Sequence, residues 1–466
     1  MKENFNSFVI GPLDEILAAR DARSLLRKEI SLRGRPSISL NLNVPGYPKI
    51  NPVTSRFFSY CSEDLKFHLA SHRVETEFEK AIVQGDAAGD FFIVPISADP
   101  HKLAELKDIC EDFEEKHAWG RFIDVDITDA AGKPVSSGKS KSCFYCGEYP
   151  ADVCRRDKKH EPEEVRIFMF SKMKAYCRQQ RENTITRNLS SLALQAILHE
   201  ISLTPKPGLV DKISNGSHDD MNYSTFINST ASISGYFNEL VKAGFDFTEK
   251  DMTKALPVIR NIGLRMEKAM FRSTNNVNTQ KGIIFLMGIS LFSSGYYFGH
   301  DDEFRTEKFR SIIKSICENI TSAELQKTLQ PPETHGEHVY KNMKIAGARG
   351  EAENGFPMAF DYGLPELLKS PGLDEKVLLR AFLAIAANNN DTNILFRSSE
   401  DVLNKFRKLS QTALNTNDAD PLAEFCIKHK ISPGGSADML AVSIYLYLLI
   451  NDRGNNGLQN FPTMIS

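Results

Sequence analysis

The residues best suited to chemistry lie in polar loops of the second half of this chain. The first reads His199-Glu200-Ile201-Ser202-Leu203-Thr204-Pro205-Lys206-Pro207-Gly208-Leu209-Val210-Asp211. Prolines on both sides of Lys206 stiffen the backbone and aim the ammonium outward, and Gly208 permits close backbone approach. Such a turn suits an anionic ligand such as a polyphosphate; the plain alternative is a helix-to-helix linker with a solvated lysine. In the next loop His218 precedes Asp219 and Asp220. These groups can bind Mg2+ or act as acid and base, or simply build Asx turns. Asn278-Thr279-Gln280-Lys281-Gly282 runs into an apolar helix, whose free N–H groups can cradle a phosphate or be capped. Arg349, in the stretch Gly347 to Pro357, suits bidentate phosphate contact, and Glu351 and Glu353 beside it can ligate metal or move protons. Asp391 and Asn393 belong to a polar cluster directly after an apolar helix, and Gly434-Gly435-Ser436 opens the last helix with an anion-type turn. Each loop alone has a structural explanation. Together in one domain they imply a ligand, because buried polar groups have to be partnered.

A second set lies in the first third of the chain. Gly120-Arg121-Phe122-Ile123-Asp124-Val125-Asp126-Ile127 puts Asp124 and Asp126 on one face of a strand, because strand side chains alternate. Two carboxylates so placed can share Mg2+ with a nucleoside triphosphate, the requirement for in-line displacement of diphosphate; an ordinary exposed strand face reads the same. Gly132 to Ser140 looks like a P-loop but is not one, since five residues separate its glycines where the motif has four. Cys143, Cys146, Cys154 and His160 have spacing compatible with a Cys3His zinc site, against ordinary reduced thiols. The basic run Arg155-Arg156-Asp157-Lys158-Lys159 offers a patch for phosphates or an acidic carrier protein, with a solvated face as the default.

Elements must hold these groups. Composition changes near residue 180, and at roughly 150 residues per domain a chain of 466 residues has two to four domains. Before the change, Ser37 to Val44 alternates as a strand and ends at Pro45-Gly46, Phe91 to Ile96 is a compact apolar strand, Pro100 to Lys116 fits an amphipathic helix, and Arg121 to Ile127 is a further strand. This predicts a small α+β domain over residues 1–180. After it, helical patterns dominate, among them Ser190–Glu200, Thr225–Ala243 and Asp374–Ala387, so residues 181–466 are expected to form a larger all-α domain. Glu161–Asn188 is a charged, helical seam. The apolar stretches Gly282–Gly299 and Ala441–Ile450 read as buried core helices rather than membrane spans. Hydrophobic content of 41% and charged content of 25% are ordinary for a globular chain. The net charge of −3 gives no field drawing the chain to nucleic acid or anionic lipid. Met1 to Phe8 lacks the pattern of a secretory signal, so the expectation is a cytosolic protein whose eight cysteines are thiols or metal ligands.

In the second half, Thr204–Asp211, Gly216–Met221, Asn278–Gly282, Gly347–Glu353, Asn390–Asn393 and Ser432–Asp438 occur in an order that resembles the triphosphoribosyl-dephospho-CoA synthases of citrate lyase and malonate decarboxylase maturation. The resemblance implies a reaction in which the 2′-hydroxyl of 3′-dephospho-CoA attacks the ribose C1 of ATP, adenine leaves and the triphosphate is retained. It implies nucleotide binding by Thr204, Lys206, Gly208, His218, Lys281, Arg349, Asn393, Gly434, Gly435 and Ser436. Asp211, Asp219, Glu351, Glu353 and Asp391 would supply metal ligation, hydroxyl activation or carbocation stabilisation. The first half, through Ala18–Arg23, Ser39–Lys49, Gly120–Asp126 and Cys143–Cys146 with Cys154 and His160, resembles the apo-citrate lyase phosphoribosyl-dephospho-CoA transferases, although the loop Ser136–Ser142 lacks their basic, proline-containing run. That resemblance implies a nucleotidyltransferase-like domain that moves phosphoribosyl-dephospho-CoA onto a serine of the apo acyl-carrier subunit with loss of diphosphate. Asp124 and Asp126 would hold Mg2+, and Arg20, Arg23, Lys49 and Arg121 would meet the triphosphate. The alternative keeps the synthase and makes the first half a non-catalytic docking module for the carrier.

Overall fold

A computed structural model describes residues 13–301, 303–326 and 335–451; Met1 to Phe8 lies outside them. The chain divides into two compact units between Arg181 and Glu182.

The first unit contains α1 (Leu13–Leu32), β1 (Ser37–Leu42), α2 (Pro52–Ser71), β2 (Ile82–Asp86), β3 (Gly89–Pro95), α3 (Leu103–Lys116), β4 (Ile123–Thr128), β5 (Pro134–Val135) and α4 (Ala151–Arg156). The five strands form one antiparallel sheet in the order β2-β3-β1-β4-β5. Asn51 starts α2 with a reciprocal capping box to Thr54, and Pro52 follows where its missing N–H costs nothing. Of the apolar face that spacing predicts for α3, Leu103, Leu106, Cys110 and Phe113 are buried, and Ile109 is half-buried. Two polar residues of α3 also serve the sheet: Lys107 Nζ donates to Val125 O at 2.8 Å, and Glu114 Oε1 accepts from Val125 N at 2.7 Å. They satisfy β4 where β5 does not reach it. β4 begins at Ile123 rather than Arg121, because Gly120–Phe122 forms a 3-10 turn.

Helix α5 (Pro162–Ser202) carries the division between the units. It joins two stretches that sequence separates, the charged seam and Ser190–Glu200. Beyond it come α6 (Tyr223–Ser234), α7 (Phe237–Phe245), α8 (Ala255–Ser273), α9 (Lys281–His300), α10 (Thr306–Ile316), α11 (His335–Met343), α12 (Gly347–Glu353), α13 (Leu364–Leu367), α14 (Glu375–Asn388), α15 (Thr392–Arg397), α16 (Glu400–Thr416), α17 (Asp420–His429) and α18 (Gly434–Asn451). No strand occurs among the described residues of this unit. The single helix expected over Thr225–Ala243 is two helices, interrupted at Gly235 and Tyr236.

α9 and α18 form the centre of the second unit. Both are long and apolar enough to cross a membrane by composition, yet 78% and 67% of their apolar windows are buried inside the unit. Their internal hydroxyls are satisfied locally: Ser290 and Ser294 donate to the carbonyls one turn back, and Tyr445 Oη donates to Ser294 Oγ at 2.8 Å, which joins the two helices. α7 packs on α9 at backbone contact. A Cβ on Gly244 would lie 2.0 Å from Phe292 O, and one on Gly295 would lie 2.0 Å from Val241 O. This close crossing fixes α9 and therefore the place where its first turn, Lys281-Gly282, is presented.

Candidate functional site

The helical unit holds a cavity of about 680 Å3, within the range of roughly 300–1,000 Å3 that takes small ligands. α9 begins at Lys281 and α18 at Gly434, and the first residues of both line the cavity. Helix N-termini present unpaired N–H groups and the positive end of the helix dipole, so two such ends favour an anion. Asp391 sets their arrangement. It caps α15 by accepting from Asn393 N at 3.0 Å, and its other oxygen accepts from Ser436 N at 2.8 Å and Ser436 Oγ at 2.9 Å. It therefore ties the start of α15 to the start of α18. Gly435 leaves room for this carboxylate: a Cβ there would lie 3.2 Å from Asp391 Oδ2. Burial holds Asp391 above the usual carboxylate range, against the hydrogen bonds from Ser436.

Lys206 is 5% exposed and Glu200 is 8% exposed, and both line the cavity. Lys206 Nζ donates to Glu200 Oε1 at 2.6 Å and to Glu200 O at 3.0 Å. The prolines do aim this ammonium, but inward to a carboxylate rather than out into solvent. Asp438, on the first turn of α18, lies against the first turn of α9. A Cβ on Gly282 would be 2.0 Å from Asp438 Oδ2, so only glycine leaves space for that carboxylate. Among the described residues nothing donates a hydrogen bond to it. Burial pushes Asp438 well above the usual range, Glu200 and Asp391 push the same way, and Lys206 opposes them.

Three further groups complete the wall. Burial raises Glu351 to about 7 even though its carboxylate accepts from Met358 N at 3.0 Å. His218 Nε2 shares a 2.8 Å hydrogen bond with Ser432 Oγ, and burial lowers its pKa, with Arg397 acting in the same direction. Lys281 and Arg349 line the cavity as cations already held by acids: Lys281 Nζ is 3.1 Å from Glu267, and Arg349 Nε donates to Glu324 at 2.8 Å.

The structure thus brings together Lys206, His218, Lys281, Arg349, Glu351, Asp391, Asn393, Gly434 and Gly435, and adds Glu200 and Asp438, which sequence reasoning did not assign. Other expected residues do not reach the lining. Asp211 accepts from the backbone N–H groups of Lys206, Ile213 and Ser214 at 2.8–3.0 Å, so its carboxylate folds the loop. Gly208, at φ +75°, is glycine because a Cβ would lie 2.8 Å from both Cys426 Cβ and Ile431 O; the close approach is to the protein itself. Thr204 Oγ1 donates to Ser202 O at 3.2 Å. Ser436 sits behind Asp391, Asp219 is exposed, and Glu353 does not line the cavity.

In the first unit, Asp124 and Asp126 alternate with buried Ile123, Val125 and Ile127. β1 places Asn41 opposite Asp124 and Ser39 opposite Asp126, and opposed residues share a face. α1 supplies cations to that face. Arg23 donates to Asn41 Oδ1 at 2.7 Å, to Gly89 O at 2.6 Å and to Asp86, and Arg27 donates to Ser39 Oγ at 3.0 Å. Asp126 is raised by burial and then by Asp124, so the pair repels itself, although Lys107, Arg27 and Lys141 offset part of this. Lys141 Nζ is 3.6 Å from Asp124 Oδ1 and also pairs with Glu114. Lys49 Nζ donates to Val44 O at 2.5 Å; burial lowers its pKa, and the nearby Arg20, Arg166 and Arg23 lower it further. Arg20, Lys49, Arg23 and Arg166 are therefore one cationic neighbourhood, with Arg166 added by the fold. Arg121 is occupied elsewhere, its Nη2 donating to Ser142 O at 2.8 Å.

The donor atoms of Cys143, Cys146, Cys154 and His160 all lie within 4.8 Å of one another. The N–H groups of Glu148 and Tyr149 point at Cys146 and lower its thiol to about 6, whereas burial raises Cys154 to about 12.

The helix N-termini and cations of one cavity, set among several acids, and the paired aspartates beside clustered cations in the other unit are compatible with phosphorylated substrates; the class, a transferase, comes from the families matched. Residues 186–457 match the family model for ATP:dephospho-CoA triphosphoribosyl transferase, and residues 12–176 match that for apo-citrate lyase phosphoribosyl-dephospho-CoA transferase. The protein named CitXG of Leuconostoc mesenteroides is 30% identical over 94% of this chain and 97% of its own length. The CitXG protein of Haemophilus influenzae is 29% identical over 95% and 97%. A probable 2-(5''-triphosphoribosyl)-3'-dephosphocoenzyme-A synthase of Photobacterium profundum is 36% identical over 55% of this chain and 85% of its own. The chain belongs to these two transferase families, joined in one polypeptide in the order of the CitXG proteins.

Proposed function

We infer that this chain makes and attaches the prosthetic group of citrate lyase. In the helical unit the 2′-oxygen of 3′-dephospho-CoA bonds to the ribose C1 of ATP, the bond from C1 to adenine breaks, and the triphosphate stays on the sugar. The observation that carries this reading is the meeting, in one cavity, of two helix N-termini with Lys281 and Arg349, and of three carboxyl groups with raised pKa values, Glu351, Asp391 and Asp438. The N-termini and cations suit the triphosphate. Glu351, half protonated near neutrality, gives the proton that departing adenine needs. Asp438, beside the Lys206–Glu200 pair, takes the proton of the attacking hydroxyl in its ionised form, which burial disfavours and Lys206 favours. Asp391 is a positioning residue, since its oxygens are held by Asn393 and Ser436. The test is adenine release from ATP and 3′-dephospho-CoA, measured by chromatography. Glu351→Gln and Asp438→Asn should each lose about 100-fold or more in kcat; near-normal turnover in both would remove them from the mechanism.

In the first unit, a nucleotidyltransferase-like site moves the phosphoribosyl-dephospho-CoA group to a serine of the apo acyl-carrier subunit and releases diphosphate. The adjacent, mutually repelling carboxylates of Asp124 and Asp126 fit a divalent cation. Mg2+ there would neutralise the leaving diphosphate. Arg20, Lys49 and Arg166 suit its oxygens, while Arg23 and Arg27 hold the strand beneath. Burial of both apolar helices supports core helices rather than membrane spans.

A further inference from the structure

The Cys143–His160 segment lies outside the reaction just described, yet its donors are arranged with unusual economy. Cys146 Sγ and Cys154 Sγ are 3.7 Å apart. A disulfide needs about 2.05 Å. Sulfurs about 2.3 Å from a tetrahedral zinc ion are about 3.8 Å apart, the edge of the tetrahedron. The fourth donor is ready: His160 Nε2 is buried without a hydrogen-bond partner. The turn between the first two cysteines closes by Gly147 N donating to Cys143 O at 2.8 Å, with Gly147 at φ +72°. α4 delivers Cys154, and Lys158 at φ +47° turns the chain back so that His160 returns to the cluster.

We propose that Cys143, Cys146, Cys154 and His160 bind one structural Zn2+, and that this knot positions Lys141 beside Asp124 in the transferase site. Four protein donors fill a tetrahedral ion, leaving no position for substrate or water. Three thiolates and a neutral imidazole bind it, and the thiol protons go to solvent. The second part rests on the backbone. Cys143 N donates to Tyr149 O at 2.7 Å and Ala151 N donates to Lys141 O at 2.9 Å, so the metal-bound turn grips the residues on both sides of Ser142. Lys141 is thereby presented to Asp124 at 3.6 Å and to Glu114, and Ser142 O to Arg121. This positioning claim depends on reading Asp124 as the transferase centre; the zinc claim does not.

The full chain, purified without added metal and dialysed against EDTA, should retain one zinc per chain by elemental mass spectrometry. Cys154→Ser and His160→Ala should lose it, while His160→Cys should keep it, because four thiolates also make a tetrahedral site. Wild-type zinc well below one per chain, or zinc unaffected by Cys154→Ser, would overturn the site. In the same preparations His160→Ala should lower the rate of carrier loading by roughly 10–100-fold with adenine release unchanged, and His160→Cys should restore loading. Normal loading by zinc-free His160→Ala would overturn the positioning of Lys141. If Asp124→Ala loads carrier normally, the transferase reading fails while the zinc stoichiometry stands.

Discussion

Glu351 shows how one buried carboxyl couples stability to pH. It titrates near 4.5 in a free chain and at about 7 in the fold, because burial disfavours its charge. Between those values the folded state binds the extra proton, so stability falls as pH rises from about 4.5 to 7. That displacement corresponds to roughly 3–4 kcal/mol at most. Glu351→Gln, which can still accept from Met358 N, should flatten that slope in urea denaturation and leave the protein the more stable form above pH 7. An unchanged slope would place the titration elsewhere. Asp211 is the opposite case. Its carboxylate accepts three loop N–H groups, so Asp211→Ala should cost about 2–4 kcal/mol in the same assay, far beyond the effect expected for exposed Asp219. Sequence reading grouped these two aspartates with Glu351, because residue type and loop context are identical for a ligand and for an Asx turn. Asp438 is not legible in the sequence for a related reason. An acid in the first turn of a helix ordinarily serves the dipole, and only the meeting of α18 with α9 turns it over Gly282.

At the level of elements, much of the site follows from where two apolar helices begin. The runs Gly282–Gly299 and Ala441–Ile450 are legible as buried helices, since nothing but a core accommodates them, and the loops ahead of them are legible as polar. What sequence does not disclose is that both first turns open on one cavity, because that depends on crossings such as Gly244 and Gly295 against opposing carbonyls. Edge strand β2 was also illegible: Ile82 to Gly85 is exposed on both faces and so shows no alternation. The two kinds of glycine should fail differently. Gly295→Ala meets Val241 O at 2.0 Å, backbone against backbone, and should destabilise the helical unit by about 1–3 kcal/mol or more. Gly282→Ala meets a side-chain oxygen of Asp438, which can rotate away. Its stability should change little, while adenine release falls by about 100-fold from the displaced carboxylate. Equal losses of stability in the two variants would show that Asp438 is packed as rigidly as the backbone.

For the whole molecule, the fusion joins a centre that makes an intermediate to one that consumes it, and each centre is built from residues of its own unit. Asp124 and Glu351 belong to different units, so the half-reactions should be separable by mutation. Asp124→Ala should abolish carrier loading and leave adenine release intact, while Glu351→Gln should do the reverse when the triphosphoribosyl intermediate is supplied. Tethering matters through concentration. Intermediate captured by the same chain before it diffuses away is passed on at a rate independent of the bulk enzyme concentration. Mixing the Asp124→Ala and Glu351→Gln chains removes that advantage, since the intermediate must cross from one molecule to another. The mixture should load the carrier after a lag that shortens as total protein rises, whereas the wild-type chain should load it with a lag independent of protein concentration. Were the mixture to match the wild type at every dilution, the intermediate would be equilibrating freely, and the fusion would contribute nothing to its transfer.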